Sequence, residues 1–214
     1  MHSSILRAAA TCLALAGVAL AGTPYNLTVN YKINNVDHFD RVWYGDGNLY
    51  IGSTVPASIQ TAFNFTGTCP PSPFPFFNTR SGILTNPTVP AVRADLLYIE
   101  PTTPGATLPD PTFLTLNNAE GAADPLFFLH SAASVTDDNL IFWFRYANIV
   151  FPILNDGTAQ SYFFLDATEA EGTYVVKWKQ GGLPSSTSTT SAAAPGGTVS
   201  LTGLGVQLMA GNPS

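Results

Sequence analysis

From Tyr25 to Ile33 apolar and polar residues alternate without a break. Tyr25, Leu27, Val29, Tyr31 and Ile33 fall on one side, with Asn26, Thr28, Asn30 and Lys32 on the other. A period of two is that of a strand with one buried face, so this stretch predicts a half-buried β-strand. In the next run, "RVWYGDGNLYIGS", Asp46-Gly47 has the chemistry of a two-residue hairpin turn, which needs positive φ. With those two as the loop, Tyr44 faces Leu49, Trp43 faces Tyr50 and Val42 faces Ile51. Val42, Tyr44, Leu49 and Ile51 then share one face, while Arg41, Trp43 and Tyr50 share the other. The run "ASIQTAFNF" (57–65) predicts a further strand. Between Gly67 and Pro111 lie ten of the chain's 17 prolines. Proline removes backbone donors and fixes φ, so this region should be loop, apart from a strand in "AVRADLLYIE" (91–100).

The second half carries the heaviest apolar runs: "PLFFLH", "NLIFWFRYA", "NIVFPIL", "SYFFLDA" and "TYVVKWK". Each is short, aromatic or β-branched, and bounded by Asp, Asn, Gly or Pro, which favours strands over helices. Asn155-Asp156-Gly157 reads as another hairpin turn. In "TYVVKWK" the alternation of Tyr174, Val176 and Trp178 with Val175, Lys177 and Lys179 predicts a strand near a sheet edge, where lysines deter stray pairing. About nine short strands with turn signals between them, and no amphipathic helix, predict an all-β fold: an antiparallel two-sheet sandwich or jelly roll, or a partly closed barrel.

The two ends differ from this pattern. Arg7 precedes an uncharged run from Ala8 to Leu20, and Ala19-Leu20-Ala21 offers the small residues that signal peptidase accepts, so residues 1–21 read as a secretory signal. About 13 apolar residues are too few for the roughly 20 that a membrane span needs. The β domain is then expected over 22–180. Two sequons support a secreted glycoprotein, Asn26-Leu27-Thr28 and Asn64-Phe65-Thr66, neither with proline in the middle. Residues 181–197 are nearly all Ser, Thr, Ala, Gly and Pro, a composition that predicts a disordered stalk open to O-glycosylation. Residues 198–214 form a weakly apolar tail, either free or a discarded glycosylphosphatidylinositol signal, with Ser191, Ala192, Ala193 or Gly196 as the attachment residue. Gln207 and several glycines interrupt that tail, and it ends in Asn212-Pro213-Ser214. The layout resembles that of secreted, cell-wall-associated proteins of filamentous fungi. The resemblance implies an extracellular or cell-wall location, with a membrane link only through a lipid anchor.

Composition narrows the partners. The chain has 14 Asp and Glu against 8 Lys and Arg, scattered along its length, which excludes the basic patch that nucleic acid requires. One of the two cysteines, Cys12, leaves with the signal, so Cys69 has no partner for an internal disulfide and is expected to be buried and inert, an intermolecular bridge being the alternative. His38, beside Asp37 and Asp40, and His130 are too far apart in sequence to suggest a zinc or copper site, and Met209 adds no convincing copper ligand. No Gly-x-Ser-x-Gly elbow is present.

Glycoside hydrolysis needs two carboxyls across a cleft, for which Glu169 with Glu171, or Asp95 with Glu100 on one strand, are the weak candidates. Turn oxygens at Asp137-Asp138-Asn139 and Asp46-Gly47-Asn48 would suit calcium, although turn chemistry alone explains them, so no cofactor is expected. Trp43 and Tyr50 would form a stacking platform for a sugar ring if their face is exposed, and core if it is not. The expectation is therefore a non-enzymatic structural or interaction role at a cell wall or surface, with wall polysaccharide or surface glycans as partners. A carbohydrate-binding module and a secreted hydrolase are the alternatives.

Overall fold

The computed structural model describes residues 24–68, 94–136, 138–139, 141–146, 148–154, 158–182 and 201–211. The expected signal peptide, Cys69, Asp137, the Asn155-Asp156-Gly157 turn, most of the stalk and its four attachment candidates lie outside them. The described chain is all-β, with one short 3-10 turn at Ala132–Ser134. β1 (Asn26–Ile33) buries Leu27, Val29 and Tyr31 and turns Asn26, Thr28 and Asn30 outward, as its alternation predicts. Asn34 and Asn35 both have positive φ, and they close a two-residue turn into β2 (Val36–Arg41). β2 occupies the charged stretch around His38, for which the alternation predicts no strand. Its charges hid the strand, yet Asn tolerates the left-handed turn that a hairpin needs.

β3 (Trp43–Gly45) and β4 (Asn48–Ile51) pair in the predicted register, Trp43 opposite Tyr50 and Tyr44 opposite Leu49, around Asp46 and Gly47 at positive φ. The strand expected at 57–65 is shorter and broken: β5 (Ala62–Phe63) pairs with β3, and β6 (Phe65–Thr68) pairs with β8 (Leu97–Pro101). The strand expected over 91–100 is also two strands. β7 (Ala94–Asp95) joins a different group from β8, the chain crossing over at Leu96.

The remaining strands are β9 (Phe113–Thr115), β10 (Phe127–Leu129), β11 (Phe142–Tyr146), β12 (Ile149–Ile153), β13 (Phe163–Ala167), β14 (Tyr174–Trp178) and β15 (Gly205–Gly211). Every strand pairing is antiparallel. One group runs β7-β11-β12-β15-β1-β2, and the other runs β6-β8-β9-β10-β4-β14-β13-β15, with β3 and β5 added beside β4. One apolar cluster takes side chains from both groups, an arrangement consistent with a two-sheet sandwich. Trp143 of β11, 1% exposed, donates its indole N–H to the Leu114 carbonyl at 2.8 Å and stacks on Phe163 of β13. It thereby ties the first group to two strands of the second.

Two expectations about position change. β14 lies between β4 and β13, away from any edge. Lys177 there is no edge guard, because it forms a 2.7 Å ion pair with Asp166 of β13. The larger change is β15, which falls in the segment expected to be a tail or discarded anchor signal. Gly205 and Val206 pair with β13, Gln207 to Gly211 with β1, and Leu208 and Met209 with β12. Val206, Leu208 and Ala210 alternate inward and are buried, while Gln207 faces out. The period of two was present in "GVQLMAG", but glycines and a low-complexity approach disguised it as an apolar tail.

Truncating the chain after Gly182 should therefore abolish cooperative unfolding, read by urea titration with circular dichroism. Leu208→Ala in the full chain should cost about 2–5 kcal/mol, as buried Leu truncations do. A truncated chain that unfolds at the full-length midpoint would show β15 to be dispensable.

Candidate functional site

A recess lies where the end of β2, the start of β3 and β5 meet the loop that follows β4. It encloses about 700 Å³, with walls from Asp40, Arg41, Trp43, Val55, Phe63 and Asn64. The loop that closes it is fastened at four points. Trp43 donates its indole N–H to the Gly52 carbonyl at 2.9 Å, and the Thr173 hydroxyl donates to Thr54 O at 2.6 Å. Ser58 donates its hydroxyl and its backbone N–H to Glu169 Oε1. Asp46 accepts from the backbone N–H groups of Gln60 (2.8 Å) and Thr61 (2.7 Å). Gly52 has φ of 108°, and a Cβ there would collide with the Gly172 carbonyl and Thr173.

Trp43 and Tyr50 meet as predicted, with ring centroids 4.8 Å apart and planes at 17°. They stack on each other across the strand pair and lie over Gly45, where a Cβ would strike both rings. Trp43 is 7% exposed, so it offers the recess an edge and not a flat platform. Tyr50 is half-buried, and desolvation raises its pKa above the usual tyrosine value. Neighbouring Asp40 accepts the Tyr31 hydroxyl at 2.6 Å, and Tyr31 also stacks on His38. Burial first, then the bond to Asp40, pushes the Tyr31 phenol well above its ordinary range.

The acidic pair proposed from sequence is placed elsewhere. Glu169 and Glu171 sit on the turn between β13 and β14, and neither lines the recess, although Gly172 beside them does. The Ser58 hydrogen bonds hold the Glu169 carboxyl below the usual value, the wrong direction for a general acid. Asp95 and Glu100 do not share a strand, since β7 and β8 belong to different groups. Asp40 is the one carboxylate among the lining residues.

His130 follows β10 and is fully employed. The Thr112 hydroxyl donates to Pro109 O, so at 2.9 Å it accepts from His130 Nδ1, which therefore carries the proton. Nε2 is left to accept the Tyr44 hydroxyl at 3.3 Å. The turn residues that would suit calcium are partly brought together: Asn48, Asp138 and Asn139 line a hollow of about 440 Å³ with Asn117 and Asp124. Several of their polar groups already serve the turns, since Asn117 donates to Asp124 Oδ2 and accepts from Ala119 N–H, while Asn139 Oδ1 accepts from Thr136 N–H. Among the described residues no three His, Cys, Asp or Glu side chains converge as a metal group.

The recess residues that the sequence does not single out are Val55, Phe63 and Thr103. No local pattern marks them, because they come together only through the pairing of β3 with β5 and of β6 with β8. No protein-family model, no curated protein and no solved structure matches the chain.

The loop and the three tyrosines can each be tested. Gly52→Ala should destabilise the protein by about 1–3 kcal/mol, and Trp43→Phe by about 1 kcal/mol for the lost indole bond, measured by chemical denaturation. A neutral phenol is favoured by folding at Tyr31, Tyr44 and Tyr50, whose pKa values are all raised. The stability they contribute is complete below the unfolded tyrosine pKa of about 10 and is lost as pH rises through the folded values. Alkaline titration followed by phenolate absorbance should show these tyrosines ionising together with unfolding; their ionisation in the folded chain at the ordinary pKa would refute this.

Proposed function

We propose that this is a secreted glycoprotein that acts by binding at a cell wall or surface, and not by catalysis, with the recess beside Trp43 as its contact surface. One observation carries the reading: a recess of about 700 Å³ combines an aromatic edge, the Val55 side chain at 49% exposure, one cation, one carboxylate and an amide. Such a lining suits a hydroxyl-rich chain, whose C–H faces rest on apolar side chains while its hydroxyls pair with Arg41 and Asp40. The sequence supports the location through its signal-like first 21 residues and its two sequons. Structural partners of Glu169, Asp46, Asp166 and His130 further support binding over acid–base chemistry. Wall polysaccharide is the partner class this chemistry favours.

The experiment is a pull-down of the secreted protein on insoluble β-glucan, chitin and mannan. At least one should retain it, and Val55→Asp and Arg41→Ala should each weaken retention about tenfold, which corresponds to about 1.4 kcal/mol. Glu169→Gln should leave retention unchanged. Absence of binding to all three, or binding indifferent to both recess variants, defeats the proposal.

A further inference from the structure

Asn26 and Asn64, from separate sequons, open on one hollow. Tyr25 and Gly67 exchange backbone hydrogen bonds at 2.9 Å in both directions, which brings the start of β1 alongside the second sequon. The hollow beside them, about 490 Å³, is lined by Asn26, Arg41, Thr66, Thr102 and Pro104, together with Asn64 and Thr103 at its junction with the recess. Its surface is made of hydroxyls, amides, a guanidinium and a proline ring. Those groups match a pyranose that carries an acetamido substituent: donors and acceptors for its hydroxyls and amide, and a ring of C–H groups for its apolar face.

Asn64 is better placed than Asn26 to present a sugar to this surface. Its backbone is pinned, with Asn64 N–H donating to Thr103 Oγ1 at 3.1 Å and Asn64 O accepting from Thr102 N–H at 2.8 Å, while the residue remains exposed. A fixed base and an exposed residue set the direction in which an attached chain leaves. Asn26 lies within β1, half-buried and opposite Gly211.

The geometry points to this hollow as the seat of the innermost N-acetylhexosamine of a glycan carried on Asn64, packed on Pro104 and bonded to Arg41 and Thr102. The inference rests on the secreted-glycoprotein reading proposed above. Attachment forms a bond from Asn64 Nδ2 to the anomeric carbon of a lipid-linked oligosaccharide diphosphate. The carbon–oxygen bond to the diphosphate breaks, one amide proton is lost, and nothing is oxidised or reduced. The hollow and the recess share Arg41, Asn64 and Thr103, so the seated sugar stands at the rim of the recess.

The test uses the full chain secreted from a eukaryotic host, with site occupancy read by mass spectrometry. Removal of the glycan by an amidase that cuts the Asn–sugar bond is timed on native and on unfolded protein. Asn64 should be occupied, and its release from the native protein should be at least about tenfold slower than from the unfolded chain. Arg41→Ala and Thr102→Ala should each speed native release, with folding verified by circular dichroism and Thr102→Ala deciding the matter where Arg41→Ala misfolds. Equal rates for native and unfolded protein, or slow native release unaltered by a folded variant, overturn the seat alone. An empty Asn64 beside an occupied Asn26 overturns it too. No glycan at either asparagine overturns both the seat and the glycoprotein reading, whereas polysaccharide retention is measured separately.

Discussion

Leu208 and Val206, both buried on the inner side of β15, carry the junction on which the two strand groups depend. Val206 lies in the part of β15 that pairs with β13, and Leu208 in the part that pairs with β1 and β12. Without that strand, β1, β12 and β13 would each lose a neighbour and leave backbone groups unpaired along the gap. Trp143 works in the same direction from β11, filling space between the groups while its indole N–H finds the Leu114 carbonyl. The cohesion of the fold thus comes from pairings distant in sequence, with no disulfide among the described residues to help.

Several charged groups serve the architecture. Glu169 and Asp46 fasten the loop after β4, Asp166 neutralises Lys177 in the sheet, and His130 joins Thr112 to Tyr44. Each of these side chains is thereby committed to holding the fold. Asp40 and Arg41 are the pair that reaches the recess, and Asp40 is itself shared with Tyr31.

The strands that could be read from sequence are those whose signal is local. β1 announced itself by alternation, and the β3–β4 register followed from Asp46-Gly47 because a two-residue turn leaves only one way to pair the flanking residues. β2 was missed since an exposed edge strand carries no buried stripe, and the Asn34-Asn35 turn was the one clue. β15 was missed for the opposite reason: its inward residues are clear in retrospect, but a hydroxyl-rich approach and a short apolar end resemble a processing signal. The recess was illegible throughout, because Val55, Phe63 and Thr103 meet only after non-local pairing. Trp43 and Tyr50 were rightly paired, yet which face they served depended on the loop anchored at Gly52, and alternation is silent about loops.

The place of β15 also governs how this chain reaches its native state. A ribosome releases Asn26–Ile33 long before Gly205–Gly211, and the Thr28 hydroxyl bond to the Met209 carbonyl spans 181 positions of sequence. Until that last strand emerges, β1 and β12 wait as open edges able to pair with strangers, and high contact order slows the closure that protects them. Closure of both strand groups therefore waits until β15 has left the ribosome. A long exposure of unpaired edges during synthesis is thus a consequence of strand order.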